Sequence, residues 1–131
     1  MAHPALAALR KAAKGLLYVS EKDAPFKVVS LKPEKSVTTG NVAELLGKPA
    51  DSHVATLTFD HLFGELTAEQ KWHTADDRAV AKRYQDLAAL LRKELKHLKV
   101  FKVGLVKVTI LIVGETADGH WIGLETDSLE T

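Results

Sequence analysis

Residues 106–113 read VKVTILIV, and this run restricts the possible folds more than any other stretch of the chain. Successive β-branched and aliphatic residues favour a strand. In a strand, Val106, Val108, Ile110 and Ile112 face one way, while Thr109, Leu111 and Val113 face the other. A strand that is apolar on both faces has to be covered on both. The run therefore predicts an interior strand with further structure on each side of its sheet. It is flanked by two more strand-like runs, VFKVGL (100–105) and HWIGLET (120–126). The joining GETADG contains Asp118-Gly119, a strong hairpin signal, so the last third of the chain predicts an antiparallel meander.

Upstream, the apolar spacing changes period. Residues 4–14 predict a helix. Pro4 suits its first turn, Leu6, Leu9, Ala13 and Leu16 recur near helical spacing, and Gly15 suits the position just past its end. FKVVSL (26–31) predicts a strand with Phe26 and Val28 on one side and Val29 and Leu31 on the other. NVAELLG (41–47) reads as a short helix closed by Gly47, HVATLTF (53–59) as a strand, and DHLFGELT (60–67) as a single helical turn. Residues 76–98 give the clearest helix, with an apolar stripe of Val80, Tyr84, Leu87, Leu91, Leu95 and Leu98. Asp76 and Asp77 at its start and Arg92, Lys93, Lys96 and Lys99 towards its end complement the helix dipole. The order is helix, strand, helix, strand, helix, then three strands. It predicts an α+β chain built as a three-layer α/β/α sandwich, with a mixed sheet of about five strands ending in the meander.

At 131 residues the whole length, 1–131, is expected to form a single domain. The absence of cysteine excludes disulfides and thiol chemistry. The opening MAHPALAALRKAAKGLL lacks the uninterrupted apolar core of a secretory signal, and VTILIVG is too short to span a bilayer. A soluble, cytoplasmic protein is expected. The formal net charge of +1 hides an asymmetry. Residues 1–113 carry 18 basic against 12 acidic residues, a net of +6. Residues 114–131 carry Glu115, Asp118, Glu125, Asp127 and Glu130 with no Lys or Arg. Read along the chain, that is an acidic end suited to a basic partner, or simply a solvated hairpin.

Few residues suggest catalysis. The histidines are scattered; His61 and His73, near Asp60, Asp76 and Asp77, fall in neighbouring segments but form no helical ligand pair. The glycines are isolated turn residues rather than a phosphate loop, and no nucleophile elbow is present. Lys82, Arg83, Arg92, Lys93, Lys96 and Lys99 could meet phosphates, yet without interleaved aromatics they read better as a solvated helix face. Trp72, in the polar run TAEQKWHTADD, is either a core plug beneath its loop or an interface anchor. Glu21 and Asp23 lie in a turn ahead of a strand.

GLLYVSEKDAPFKVV, KWHTADDRAVAKRYQDL and VFKVGLVKVTILIVGETADGHWIGLETDSLET together resemble the nuclease A inhibitor family. The resemblance runs over most of the chain and is densest in the last third. It implies an α/β/α sandwich and a protein that blocks a sugar-nonspecific endonuclease, an enzyme that cuts DNA and RNA with a metal ion. It also implies contact residues. The family's acidic residue in the SE turn falls on Glu21, its loop tryptophan on Trp72, and its terminal threonine, which engages the nuclease's metal centre, on Thr131. Glu130 precedes that threonine. Lys71 stands beside Trp72, where an acidic residue would suit.

The leading expectation is thus an inhibitor with no catalysis, cofactor or metal of its own, monomeric when free. It would occupy a nuclease groove through Glu21, Lys71, Trp72, Glu130 and Thr131, over an interface of roughly 1,600 Å². A protein-binding module with another cytoplasmic partner is the alternative. A small hydrolase using the His61 and His73 loops is the third reading.

Overall fold

The computed structural model describes residues 4–18, 24–31, 36–67 and 75–129. In chain order the elements are α1 (Pro4–Ala13), β1 (Leu17–Tyr18), β2 (Ala24–Pro25), β3 (Lys27–Leu31), α2 (Val42–Leu45), β4 (Val54–Leu57), α3 (Phe59–Thr67), α4 (Ala75–Glu94), β5 (Lys96–Val103), β6 (Lys107–Glu115) and β7 (Trp121–Leu129). Five strands form one sheet in the order β3-β7-β6-β5-β4, and β1 and β2 form a separate two-stranded ribbon.

Every pairing in the five-stranded sheet is antiparallel, which corrects the expected mixed sheet. The connection between β4 and β5 gives the reason. One helix between two strands returns the chain to the end where the first strand began, producing a parallel pair. Here α3 is a nine-residue helix, not a single turn, and it doubles back against α4. Asp60 pairs with Arg92, whose guanidinium lies 5.0 Å from the centre of the Phe59 ring. The helical hairpin delivers the chain to the end where β4 finished, so β5 runs antiparallel to it, with Leu57 opposite Val100. Thr58 starts α3 by accepting a hydrogen bond from the His61 amide at 3.0 Å, an N-cap.

As expected, β6 is interior and buried on both faces. On one face Val108, Ile110 and Ile112 join Val100, Ile122 and Leu124 beneath α1, α3 and α4, with Leu9, Leu87 and Leu91 completing the core. On the other, Leu111 and Val113 pack with Phe101, Val103 and Trp121 against Val37, Val42 and Ala43. The first cover is a layer of helices. The second, among the described residues, is the 36–46 segment with its four-residue α2. Lys99 fastens that cover: its Nζ donates to the Val37 carbonyl at 2.8 Å and lies 5.4 Å from the centre of the Trp121 ring. The sidedness expected for β3 holds, with Phe26 and Val28 in the first core and Val29 and Leu31 in the second.

Several expectations need correction. Val106 is not part of the apolar strand face; it lies in the β5–β6 turn and is 51% exposed. α4 ends at Glu94 and β5 begins at Lys96, so Leu98 is not a rung of the helical stripe, whereas Leu95 closes it, its amide donating to the Leu91 carbonyl at 2.9 Å and its side chain buried in the same core. Val80, assigned to that stripe, is exposed. The strand begins irregularly: His97 has φ 55°, and the register with β6 shifts between Lys96 and Lys99, the signature of a bulge.

Candidate functional site

Glu21, Lys71, Trp72, Glu130 and Thr131 all lie outside the described residues, as does His73. The described residues that adjoin these segments converge on one end of the sheet.

Glu21 falls in the segment between β1 and β2, whose register is Leu17 opposite Pro25 and Tyr18 opposite Ala24. Two side chains tie this ribbon to the domain. The Tyr84 hydroxyl donates to the Leu17 carbonyl at 2.6 Å, and its ring meets Phe26 edge-on at 6.1 Å. The Thr126 hydroxyl donates to the Pro25 carbonyl at 2.9 Å. Burial, reinforced by nearby Tyr18, pushes the Tyr84 phenol up to about 12, so it remains a hydrogen-bond donor far into the alkaline range. The stem of the Glu21 segment is thus fixed beside residue 126 of β7.

Glu130 and Thr131 follow directly from β7, which ends at Leu129 opposite Lys107 of β6. Lys71 and Trp72 fall between α3 and α4. Because α4 ends where β5 begins, its start overlies the Val103 end of β5, the same end at which β7 finishes. Tyr84 marks the level of Phe26, and Ala75 lies nine residues, about 13.5 Å, further along the helix. The three stems therefore share one end of the sheet.

That end also carries exposed apolar side chains, two of which, Val80 and Val106, the sequence pattern assigned to apolar faces. Leu17, Val80, Leu105 and Val106 are the large hydrophobic residues left exposed among the described residues, Leu105 at 71%. Leu105 and Val106 form the β5–β6 turn beside Lys107. The detectable signal was Gly104, whose φ of 114° breaks the strand before Leu105; a Cβ there would overlap the Lys107 carbonyl.

Among the described residues, the acids of 114–129 do not form one surface. Glu115 closes β6 at the far end of the sheet, and Asp118 lies in the far hairpin, where Thr116 donates to it and His120 Nδ1 lies 3.3 Å away. Glu125 and Asp127 sit towards the candidate end, but Lys27 stands opposite Glu125 and Lys107 lies diagonally from Asp127. Antiparallel pairing places lysines from β3 and β6 among the acids of β7.

Among the described residues, no group of three or more His, Asp or Glu side chains is placed to hold a metal ion, and no helix is long and apolar enough to cross a membrane. His61 is on the surface of α3.

The family model described as nuclease A inhibitor-like protein (NuiA) matches residues 3–131. The chain belongs to the nuclease A inhibitor-like family. A search of curated proteins returns no match. The family match takes in all three stems and the segments between them.

Proposed function

We propose that this chain is a protein inhibitor that binds and blocks the active site of a metal-dependent, sugar-nonspecific nuclease, with no catalysis of its own. The observation that carries this reading is the family match across residues 3–131. The geometry supports it, because the stems of the Glu21, Trp72 and Thr131 segments lie at one end of the sheet, together with exposed Leu105 and Val106. Within this reading the whole chain takes the family's three-layer arrangement, with the 36–46 side as the thinner layer, and acts in the cytoplasm as a monomer when free. Glu21 meets a cation of the nuclease's phosphate-binding groove, since a carboxylate can replace a phosphate oxygen. Trp72, flanked by Lys71, fills a pocket at the rim. Glu130 and Thr131 bring oxygen donors to the nuclease's catalytic ion; hard divalent cations such as Mg²⁺ favour such ligands.

The test is cleavage of DNA and RNA by a sugar-nonspecific nuclease from the same genome, with increasing amounts of the purified chain. Stoichiometric loss of cleavage is expected. Deleting Glu130 and Thr131, or appending residues after Thr131, should weaken inhibition by about tenfold or more without lowering the melting temperature. An intact, folded chain that leaves cleavage untouched at high excess would overturn the proposal and favour a binding module with another partner.

A further inference from the structure

The second face of the sheet is covered over only part of its length. The 36–46 segment shields Phe101, Val103, Leu111, Val113 and Trp121. Past Leu111 the same face continues with Thr109 and Lys107 on β6, Glu125, Asp127 and Leu129 on β7, and Lys27 on β3. Apart from Glu125, which stands opposite Lys27 outside the lining, this stretch, with Pro25 and Lys48 at its margin, lines an open cleft of about 680 Å³.

The cleft's charge is one-sided. Lys27, Lys48 and Lys107 are exposed, and none of the three is ion-paired among the described residues. Asp127 is the one carboxylate in the lining, and its Oδ1 accepts a long hydrogen bond from Thr109 at 3.5 Å. Pro25 and Leu129 supply apolar floor between the ammonium groups.

We propose that this cleft is a binding site for an extended, acidic peptide segment of a protein partner. Lys27, level with Leu111, stands two strands across and four residues along from Lys107, about 16 Å, a distance spanned by about five residues of extended chain. Carboxylates at i and i+4 of such a segment fall on one side, about 13 Å apart, and meet one lysine each within the reach of the lysine side chains, with the side chain at i+2 over Pro25 and Leu129. A single small anion is a poorer match for ammonium groups rooted that far apart. A nucleic acid strand is poorer still, because the lining has neither arginine nor an aromatic stacking surface, and Asp127 opposes a continuous row of phosphates. The inference goes beyond the nuclease reading and needs no nuclease for its test.

The isotope-labelled full chain is titrated at low salt with a capped hexapeptide carrying glutamates at positions i and i+4. The same peptide with glutamine at both positions, and inorganic phosphate, serve as comparisons. Saturable amide shifts confined to Lys27, residues 107–109 and residues 127–129 are expected with the glutamate peptide only. The K27E/K48E/K107E variant should bind at least about tenfold more weakly. The three sites are exposed, so the fold should persist; the glutamine peptide tests the same charge dependence on the unaltered protein. Absence of saturable shifts in the cleft overturns the proposal. Equal binding of the glutamine peptide reduces the cleft to an apolar groove, and equal binding of phosphate makes it a small-anion site; both refute the proposal.

Discussion

Tyr84 links the core to the candidate binding end through a single hydroxyl. Its ring is buried, and its bond to the Leu17 carbonyl holds the stem of the Glu21 segment. Tyr84→Phe removes the donor and leaves that carbonyl without its partner, a loss of about 1 kcal/mol at neutral pH. The alkaline limb should change in the opposite sense. Below pH 10 both folded and unfolded states keep the phenolic proton, and stability is complete. Between pH 10 and about 12 the unfolded tyrosine ionises first, because burial raises the folded value. Stability therefore falls across that window, by up to about 3 kcal/mol. The Phe variant lacks this component, so its denaturation midpoint should start lower and fall less steeply, approaching or crossing the wild type near the top of the window. Parallel curves would show that the Tyr84 phenol is not held protonated by the fold. Thr126 is the second fastening, and Thr126→Val keeps the shape while removing the donor to Pro25. A cost of about 1–3 kcal/mol is expected in chemical denaturation, the range for a buried carbonyl left without its partner.

At the scale of elements, β6 was legible because a strand apolar on both faces has few places to go. The β6–β7 hairpin was legible from Asp118-Gly119. β3 was legible because its side chains alternate between the two cores. The junction of α4 and β5 was not, because Leu98 continues a helical spacing by coincidence. The pairing of β5 with β6, from Lys96 to Val103, decides against the helix there, an instance of tertiary contacts overriding local preference. α3 was under-read because Gly64 interrupts its pattern, while burial of Phe59, Leu62 and Phe63 against α4 sustains the helix. The ribbon of β1 and β2 has too few residues to leave a periodic signature. A strong element-level prediction concerns Gly123, opposite Val113 at the centre of the sheet. A Cβ at this position would overlap the Ile112 carbonyl and approach the Val113 Cα to 2.8 Å. Backbone cannot move aside as a side chain can, so Gly123→Ala should separate β6 from β7 and cost about 3 kcal/mol. Thermal melting checks it, and a Tm within a degree or two of wild type would show that the strands can spread there without penalty.

For the molecule as a whole, the candidate site was legible only in part, and the reason is geometric. Family pattern marked Glu21, Trp72 and Thr131, because short motifs survive in linear order. Neither the shared location of their stems nor the surrounding charge could be read linearly. Residues 114–131 look uniformly acidic along the chain. In the sheet, β7 runs about 26 Å from Trp121 to Leu129, which sends Glu115 and Asp118 to one end and Asp127 to the other. The end nearest the proposed interface is bordered by Lys27, Lys48 and Lys107. Two consequences follow for binding to a nuclease. Trp72 should act as a local anchor, so Trp72→Ala should weaken the complex by about 2 kcal/mol, chiefly through faster dissociation, with the melting temperature unchanged; a lower melting temperature instead would make it a core residue. Long-range attraction to a basic groove should be weak, because the net charge is +1 and the binding end carries both signs. Association should therefore proceed without electrostatic steering, at about 10⁵–10⁷ M⁻¹s⁻¹. Raising the salt should change that rate by less than about threefold, whereas strongly steered pairs slow steeply. Stopped-flow measurement across a salt series decides the matter, with Glu21→Gln as a control that changes one charge at nearly constant shape. A steep fall with salt, lessened by Glu21→Gln, would mean that the acids of β7 and Glu21 act as one negative surface despite the lysines beside them.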